Sequence, residues 1–404
     1  MKLVRFIFNA GLVTSLILFA GAACSSQDKG ATPSPTAHGK SSGDWSGSMQ
    51  ELSMALNKLL PLVSDSKAFN DPKNESVIKE STSRLKKLSH QVRELEKPAA
   101  DPAYESIARM LDEDLARAVV ALHTGNRDYA RLTIRESIGY CIQCHTQTAG
   151  GPSFPKLDLG FDPSKLSPLA QGDYYAATRQ FDTALEAYQK GIKDASYAKK
   201  DVFGWERAAR SGLAIAVRFK ESPKESAEIT KAIIRNPSAT ESLKDNAKAW
   251  DKAIAGWAKE KPSNTKNKNA RLERAEKLVK EATALLENDE SARNQDILFL
   301  RASADLHKWL SENPLSKTNA ANRAKALYLA GRSAEESREL NFWTLHERYY
   351  ELCIDTLPKS AQAQNCFKSL NESVLMGYTG SSGLHLPPDE TARLARLKAK
   401  AFGP

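Results

Sequence analysis

Two cysteines and a histidine form the most distinctive chemical pattern in this sequence of 404 residues. Cys141 and Cys144 are separated by two residues, and His145 follows directly, in the stretch GYCIQCHTQTAGGP. Residues of these types at this spacing can act as a redox dithiol, as half of a zinc site or as the attachment point of a covalent haem. The compartment of the protein and the element that carries the motif decide between these three chemistries.

The N-terminal residues are typical of an exported protein. A short basic segment is followed by an apolar run from Leu12 to Ala20, and small residues then lead to Cys24. We interpret residues 1–23 as a signal peptide. It resembles a bacterial lipoprotein signal, in which the cysteine is lipidated, although Gly21 stands where such signals usually carry leucine. Ordinary signal cleavage after the Ala-Gly-Ala sequence is the alternative.

Residues 24–46 are rich in serine, glycine and proline, which predicts a flexible polar tether. A lipid on Cys24 would anchor the protein to a membrane of the bacterial cell envelope, facing the periplasm, and the outer membrane is favoured. The formal net charge is +9; Lys2 and Arg5 of the signal supply part of it, and the rest of the basic excess falls after residue 150. Because export argues against a nucleic-acid partner, we expect only weak attraction to anionic surfaces or acidic proteins.

The two cysteines near the C-terminus, Cys353 and Cys366, are predicted to form a disulfide. Cysteines of exported proteins meet an oxidising compartment, where they usually pair. Cys353 lies near the end of one predicted helix and Cys366 early in the next, with a proline-containing turn between them. A helical hairpin would bring the two thiols within bonding range. Two buried free thiols are the alternative.

Apolar side chains recur every three or four residues along most of the sequence, and alternating strand patterns are almost absent, so we predict an all-α fold. Residues 47–150 are predicted to form a first domain of four helices. The first two cover about 47–63 and 75–95, the third ends at Gly125, and the fourth starts near Asn126 and runs through the motif. Short loops between comparable helices indicate an up-down-up-down bundle.

The fourth helix would carry Cys141, Cys144 and His145 at positions i, i+3 and i+4, on nearby edges of one helical face. Two thiols there can add to the two vinyl groups of one haem, and the adjacent imidazole can turn toward the iron as an axial ligand. A redox dithiol usually opens a helix beside a strand, and a zinc site needs further Cys or His ligands nearby. The sequence shows neither context, so we expect one covalently bound haem c. A chance match of the motif on a structural helix is the alternative.

A four-helix bundle of about this length with CxxCH on its last helix resembles the cytochrome c-prime family and its electron-transfer relatives. The resemblance covers residues 48–150 and implies that the motif cysteines and histidine hold the haem. In the electron-transfer relatives a methionine early in the first helix is the sixth iron ligand. Met49 stands at that place on the apolar stripe, whereas Met54 lies off it; core packing is the alternative for Met49. His123 is expected to be a surface or boundary histidine.

After a linker over residues 151–166, residues 167–376 are predicted to fold as helical hairpins. The stretch QGDYYAATRQFDTALEAYQKGI resembles a tetratricopeptide repeat, in which small residues let two helices approach and aromatic residues fill the groove to the next pair. The positions that carry this resemblance are Gly172, Tyr175, Ala184, Tyr188 and Gly191. Weaker copies are KAIIRNP and HERYYELCIDTLP, the latter preceded by AKALYLAG. An irregular helical-hairpin solenoid is the alternative, and either arrangement implies a surface that binds a protein or peptide.

Residues 377–404 are predicted to form a surface loop and a short helix, with His385 exposed. The whole pattern predicts a monohaem c-type cytochrome that transfers electrons, with repeats that dock a protein redox or assembly partner. The alternatives are a haem-based gas sensor and an envelope assembly scaffold in which the repeats are the working part. The sequence contains no second CxxCH and no evident catalytic constellation, so an enzyme is the least expected function.

Overall fold

The computed structural model of the chain describes residues 45–95, 103–147, 162–260, 267, 269–288, 293–316, 318–337, 345–381 and 383–403. These residues are mostly helical, with seventeen α-helices and a single pair of two-residue strands, which confirms the predicted all-α class. The predicted signal peptide over residues 1–23 and Cys24 lie outside the described residues. Most of the predicted linker, residues 151–161, lies outside them as well.

The N-terminal helices are close to the predicted ones. They are α1 (Trp45–Ser64), α2 (Ser66–Asn70), α3 (Glu75–Glu94), α4 (Ala103–His123) and α5 (Arg127–Gln147). The short helix α2 was not predicted from the sequence. It forms because the carboxylate of Asp65 accepts the main-chain N–H groups of Lys67 and Ala68 at its start, while Phe69 is fully buried. Gly125 follows α4 with a φ of 81°, a conformation that glycine adopts without strain.

Four of these helices enclose a common apolar core. Helix α3 contacts α1 and α4, and α5 contacts α4 and α1, so each long helix touches two others. Their apolar stripes meet inside, where Leu59, Val63, Ile78, Leu115 and Ile134 are fully buried. Burial of such side chains stabilises the helices, which would be marginal in isolation.

The remaining helices follow one another closely along the chain. They are α6 (Pro168–Ala177), α7 (Phe181–Lys193), α8 (Ala195–Lys200), α9 (Val202–Ala214), α10 (Pro223–Arg235), α11 (Glu241–Trp257), α12 (Ala270–Asn288), α13 (Gln295–Glu312), α14 (Ala320–Glu336), α15 (Leu345–Thr356), α16 (Ala361–Gly377) and α17 (Pro388–Phe402). A single π-helical turn, Ile215–Phe219, continues α9. Many of these helices begin at a side-chain cap, as at Ser167, Ser222 and Ser360.

Sequential helices in this part pair with each other, as α6 does with α7, α10 with α11, α12 with α13 and α14 with α15. The same kind of contact occurs in two of these pairs, α6–α7 and α14–α15. In each, a glycine of the first helix lies against a tyrosine ring of the second. A Cβ atom on Gly172 would overlap the ring of Tyr188, and one on Gly331 would overlap the ring of Tyr350. The absence of a side chain on each glycine therefore sets how closely the two helices approach.

The C-terminal residues contain more secondary structure than the predicted loop and short helix. Strands β1 (Thr379–Gly380) and β2 (Gly383–Leu384) pair antiparallel, and α17 follows with fifteen residues. On α15 and α16 the sulfur atoms of Cys353 and Cys366 lie at disulfide distance, with Cα atoms 6.3 Å apart. Within the described part of the chain, no helix has the length and apolar character needed to cross a membrane.

The described helices belong to one compact unit. Helix α5 contacts α1 and α4 on one side and α6, α9 and the π-helical turn on the other. One continuous hydrophobic cluster contains Leu59 of α1, Ile134 of α5, Trp205 of α9 and Trp250 of α11, all fully buried. Helix α5, which carries CxxCH, therefore packs against the N-terminal helices α1 and α4 and against the later helices α6 and α9.

Candidate functional site

The motif lies in the last two turns of α5. Ile134, Ile138 and Ile142 are buried along the helix and orient it against the core. Cys141, Cys144 and His145 are each half-buried, and both thiols are free. Cys141 packs against the cluster that includes α1 and α9, whereas Cys144 packs against a second cluster formed by the start of α4 and the later helices.

The three motif side chains open onto one apolar cavity, whose walls enclose about 750 Å³ of empty space, including the part that opens to solvent. Helices α1, α3, α4 and α5 all contribute to the walls, and Ala177 at the end of α6 completes them. Apolar and aromatic groups such as Trp45, Leu56 and Leu85 dominate this lining.

Met49 of α1 lines the same cavity as the motif. Met54, five residues later, has 46% of its surface exposed and does not line the cavity. The two methionines therefore differ by their position around the helix. Helix α1 also begins two residues earlier than expected, which brings Trp45 into the wall beside Met49.

The other two histidines considered from the sequence lie on the surface. His123 is exposed at the end of α4, with its Nδ1 atom 2.7 Å from the carbonyl oxygen of Val119. His385 is exposed beside the short hairpin. Neither side chain contributes to the walls of the cavity.

Burial controls the protonation of the motif groups. It raises the pKa of Cys141 to about 11, so the thiol is protonated at neutral pH. Burial is also the main reason why the pKa of His145 falls to about 4, and the positive charge of Arg179 lowers it further. The His145 imidazole is therefore neutral at physiological pH, which is the form that binds metals.

The imidazole of His145 lies beside the end of α6. Its Nδ1 atom is buried, and among the described residues it has no hydrogen-bond partner of good geometry. The main chain of Ala176 and Ala177 is nevertheless near enough to raise the pKa of the ring and partly oppose the effect of burial. A histidine that ligates a metal usually donates its second ring N–H to an acceptor such as a carbonyl, and the end of α6 is where such acceptors are found.

Arg179, in the turn between α6 and α7, contacts the motif directly. Its Nη1 atom donates a hydrogen bond to the carbonyl oxygen of His145, at 3.1 Å. Its guanidinium carbon lies 5.8 Å from the centre of the Phe181 ring, within range of a cation–π contact. Sequence reasoning missed Arg179 and Ala177, because no local pattern marks residues that meet the motif only after the chain reverses.

Buried polar groups connect the helices around the cavity. The carboxylate of Asp112 on α4 accepts hydrogen bonds from Ser89 and Arg93 of α3 and lies 3.2 Å from the Nδ1 atom of His90. The hydroxyl of Tyr140 donates to Asp114 at 2.5 Å, which joins α5 to α4. Such partners restrict the relative rotation of the helices and so keep the motif facing the cavity.

Ionic contacts hold the outer face of α5 against α9. The Nη1 atom of Arg135 donates to Asp201 at 2.5 Å. Arg207 of α9 forms a two-pronged pair with Asp173 of α6 and lies 3.7 Å from Glu136 of α5. These contacts place the end of α6 and the α6–α7 turn beside the motif.

Among the residues that the structure describes, no group of three or more His, Cys, Asp or Glu side chains is arranged to hold a metal ion. Comparison of the chain with models of protein families, with curated proteins and with solved structures gave no match.

Proposed function

We propose that this protein is an exported monohaem c-type cytochrome that transfers electrons. In this proposal Cys141 and Cys144 would hold haem c through thioether bonds, and His145 would supply a ligand to its iron. The observation that carries the proposal is that both thiols and the imidazole open onto one apolar cavity enclosed by four helices and the end of α6. Met49, near the start of α1, opens onto that cavity as well.

The residues of the cavity fit a haem. The two thiols follow the CxxCH spacing that haem attachment requires, and the cavity has the apolar lining of a cofactor site. A bound haem supplies a one-electron couple. The chain itself excludes water with its apolar walls, offers the imidazole of His145 from a rigid helix, and orients that helix through Tyr140 and Arg135.

Met49 favours an electron carrier over a gas sensor. A thioether as sixth ligand suits electron transfer, because it raises the reduction potential and occupies the position at which a gas would bind. The supporting observation is the place of Met49 in the cavity wall, while Met54 points away from it.

The finer architecture is part of the same proposal. Residues 47–150 form a four-helix bundle of the cytochrome c-prime type, supported by the contacts of α1, α3, α4 and α5 around one core. Residues 167–376 form repeats similar to tetratricopeptide repeats, supported by the sequential helix pairs and by the glycine–tyrosine contacts of Gly172 and Gly331. These repeats dock a protein redox or assembly partner.

The proposed location is the bacterial cell envelope, with the protein facing the periplasm and anchored by a lipid on Cys24. The signal-like sequence before Cys24 supports export. The disulfide distance between Cys353 and Cys366 is consistent with an oxidising compartment.

The first test is covalent attachment of haem. The full chain, expressed together with functional cytochrome-maturation machinery, should keep its haem colour after denaturation and extraction with acidic organic solvent. Cys141→Ala combined with Cys144→Ala should abolish this colour, because the other cysteine pair lacks the required spacing.

The matched control replaces both Cys353 and Cys366 by serine, which removes the same number of sulfur atoms outside the cavity. This variant should retain covalent haem in full. A colourless wild-type protein under these conditions would exclude the proposed function.

A further inference from the structure

We propose that Arg179, which lies outside the helical bundle in sequence, raises the reduction potential of the haem held by His145. The inference rests on the proposed function. It extends that function by assigning to the α6–α7 turn a direct role in the redox site, beyond any role of the later helices in binding a partner.

The structure holds Arg179 against the motif by several contacts. Its Nη1 atom donates to the carbonyl oxygen of His145 at 3.1 Å, and its guanidinium stacks on Phe181. Ala177, two residues earlier, is part of the cavity wall. The backbone of Arg179 has a φ of 61°, a conformation that residues other than glycine rarely adopt and that the surrounding packing must maintain.

A fixed cation at this position stabilises the reduced state relative to the oxidised state. Uptake of one electron from a redox partner lowers the charge of the haem site by one and requires no proton. The guanidinium remains protonated at all physiological pH values, so it repels the more positive, oxidised state. Its Nε atom is buried, and in such surroundings the interaction is screened less than in water.

A purely structural role for Arg179 makes a different prediction. His145 lies in the last turn of α5, where helix carbonyl groups lack partners within the helix. A hydrogen bond from Arg179 could simply cap that turn, and the positive charge would also suit the C-terminal end of the helix dipole. Loss of a cap lowers stability and leaves the reduction potential unchanged, so the potential separates the two roles.

The test is a spectroelectrochemical titration of the full, haem-loaded chain. Arg179→Gln removes the charge and keeps a hydrogen-bond donor, whereas Arg179→Lys keeps the charge. We expect the midpoint potential of Arg179→Gln to shift to lower values and that of Arg179→Lys to stay close to wild type. The shift should persist at high ionic strength, because the charge is partly buried.

Arg84→Gln is the matched control. Arg84 lies on α3 with half of its side chain exposed and pairs with Glu51 on the surface, so its neutralisation changes the net charge equally. Its effect on the midpoint potential should be small and should vanish at high salt. Phe181→Leu is a second probe if Arg179→Gln does not fold. It removes the ring under the guanidinium and should lower the midpoint potential by less than the loss of the charge would.

The outcomes distinguish the inference from the proposed function. A colourless wild-type protein would overturn both. Haem-loaded variants with the wild-type midpoint potential, together with a lower melting temperature of Arg179→Gln, would overturn the inference alone and assign Arg179 to helix capping.

Discussion

At the scale of single residues, helical phase decides which side chains can take part in the chemistry. Met49 and Met54 share one helix and one residue type, yet only Met49 reaches the cavity that the motif lines. The histidines differ by their place in the fold, because His145 of α5 lines the cavity while His123 is exposed at the end of α4.

Met49 provides the prediction at this scale. In the haem-loaded protein, Met49→Ala should abolish the weak absorption at about 695 nm that marks a ferric haem with histidine and methionine ligands. It should also speed the binding of carbon monoxide to the reduced protein, because the sixth position becomes open. Met54→Ala is the control and should leave both properties unchanged. A wild-type protein that lacks the band and binds carbon monoxide rapidly would favour the gas sensor instead.

At the scale of helices, close approach depends on small residues and on cross-links. Gly172 and Gly331 each accept a tyrosine ring from the following helix, so the pairs α6–α7 and α14–α15 pack through the same device. Cys353 of α15 and Cys366 of α16 lie at disulfide distance, and both side chains are fully buried.

The cross-link yields the prediction for this scale. Replacing both Cys353 and Cys366 by serine should lower the free energy of unfolding by about 3 kcal/mol, because the bridge restricts the unfolded chain over a loop of this size. Urea denaturation of the variant, compared with oxidised and reduced wild type, measures this difference. Mass spectrometry of non-reduced peptides is the direct check, and two thiols that react with an alkylating reagent would show that the bridge does not form.

At the scale of the whole molecule, the described helices act as one unit in which the motif helix is the shared element. Its inner face contributes Ile134 and Ile138 to the core, and its outer face binds α9 through Arg135 and Asp201. Burial raises the pKa of Asp201, but the main-chain N–H of Gly204 and the charge of Arg135 lower it by more. The pKa of this carboxyl group therefore lies below its usual value of 3.8.

This ion pair gives a pH-dependent prediction. A carboxylate with a lowered pKa in the folded state stabilises the protein above its unfolded pKa, and this contribution is lost as the pH falls through the folded value. In a double-mutant cycle with Arg135→Gln and Asp201→Asn, the coupling energy at pH 7 should be about 0.5–1 kcal/mol, since Asp201 is partly exposed. Urea denaturation at decreasing pH should show the coupling disappear below pH 3.8.

Asp194→Asn is the matched control for that cycle. Asp194 caps α8 as Asp201 caps α9, and both accept a main-chain N–H. Asp194→Asn should show no coupling with Arg135→Gln at any pH. A coupling energy between Arg135 and Asp201 that stays constant down to low pH would show that their contact is not ionic.

The sequence by itself determined the helices and the motif. Periodic apolar residues, capping side chains and Gly125 act within a few residues of each other, so the bounds of α1, α3, α4 and α5 could be predicted closely. The CxxCH spacing and the phase of Met49 are local in the same sense. The short helix α2 escaped prediction because its stability depends on a cap at Asp65 and on the distant partners of Phe69.

Only the tertiary structure decided what surrounds the motif. Arg179 follows His145 by 34 residues, and Asp201 follows Arg135 by 66, so neither contact has a local signal. The cavity also exists only where four helices and the end of α6 converge, because no helix encloses a volume alone. Contacts of this kind form only when the chain reverses and the apolar faces of its helices pack against each other. That packing depends on the shapes of all these helix faces together.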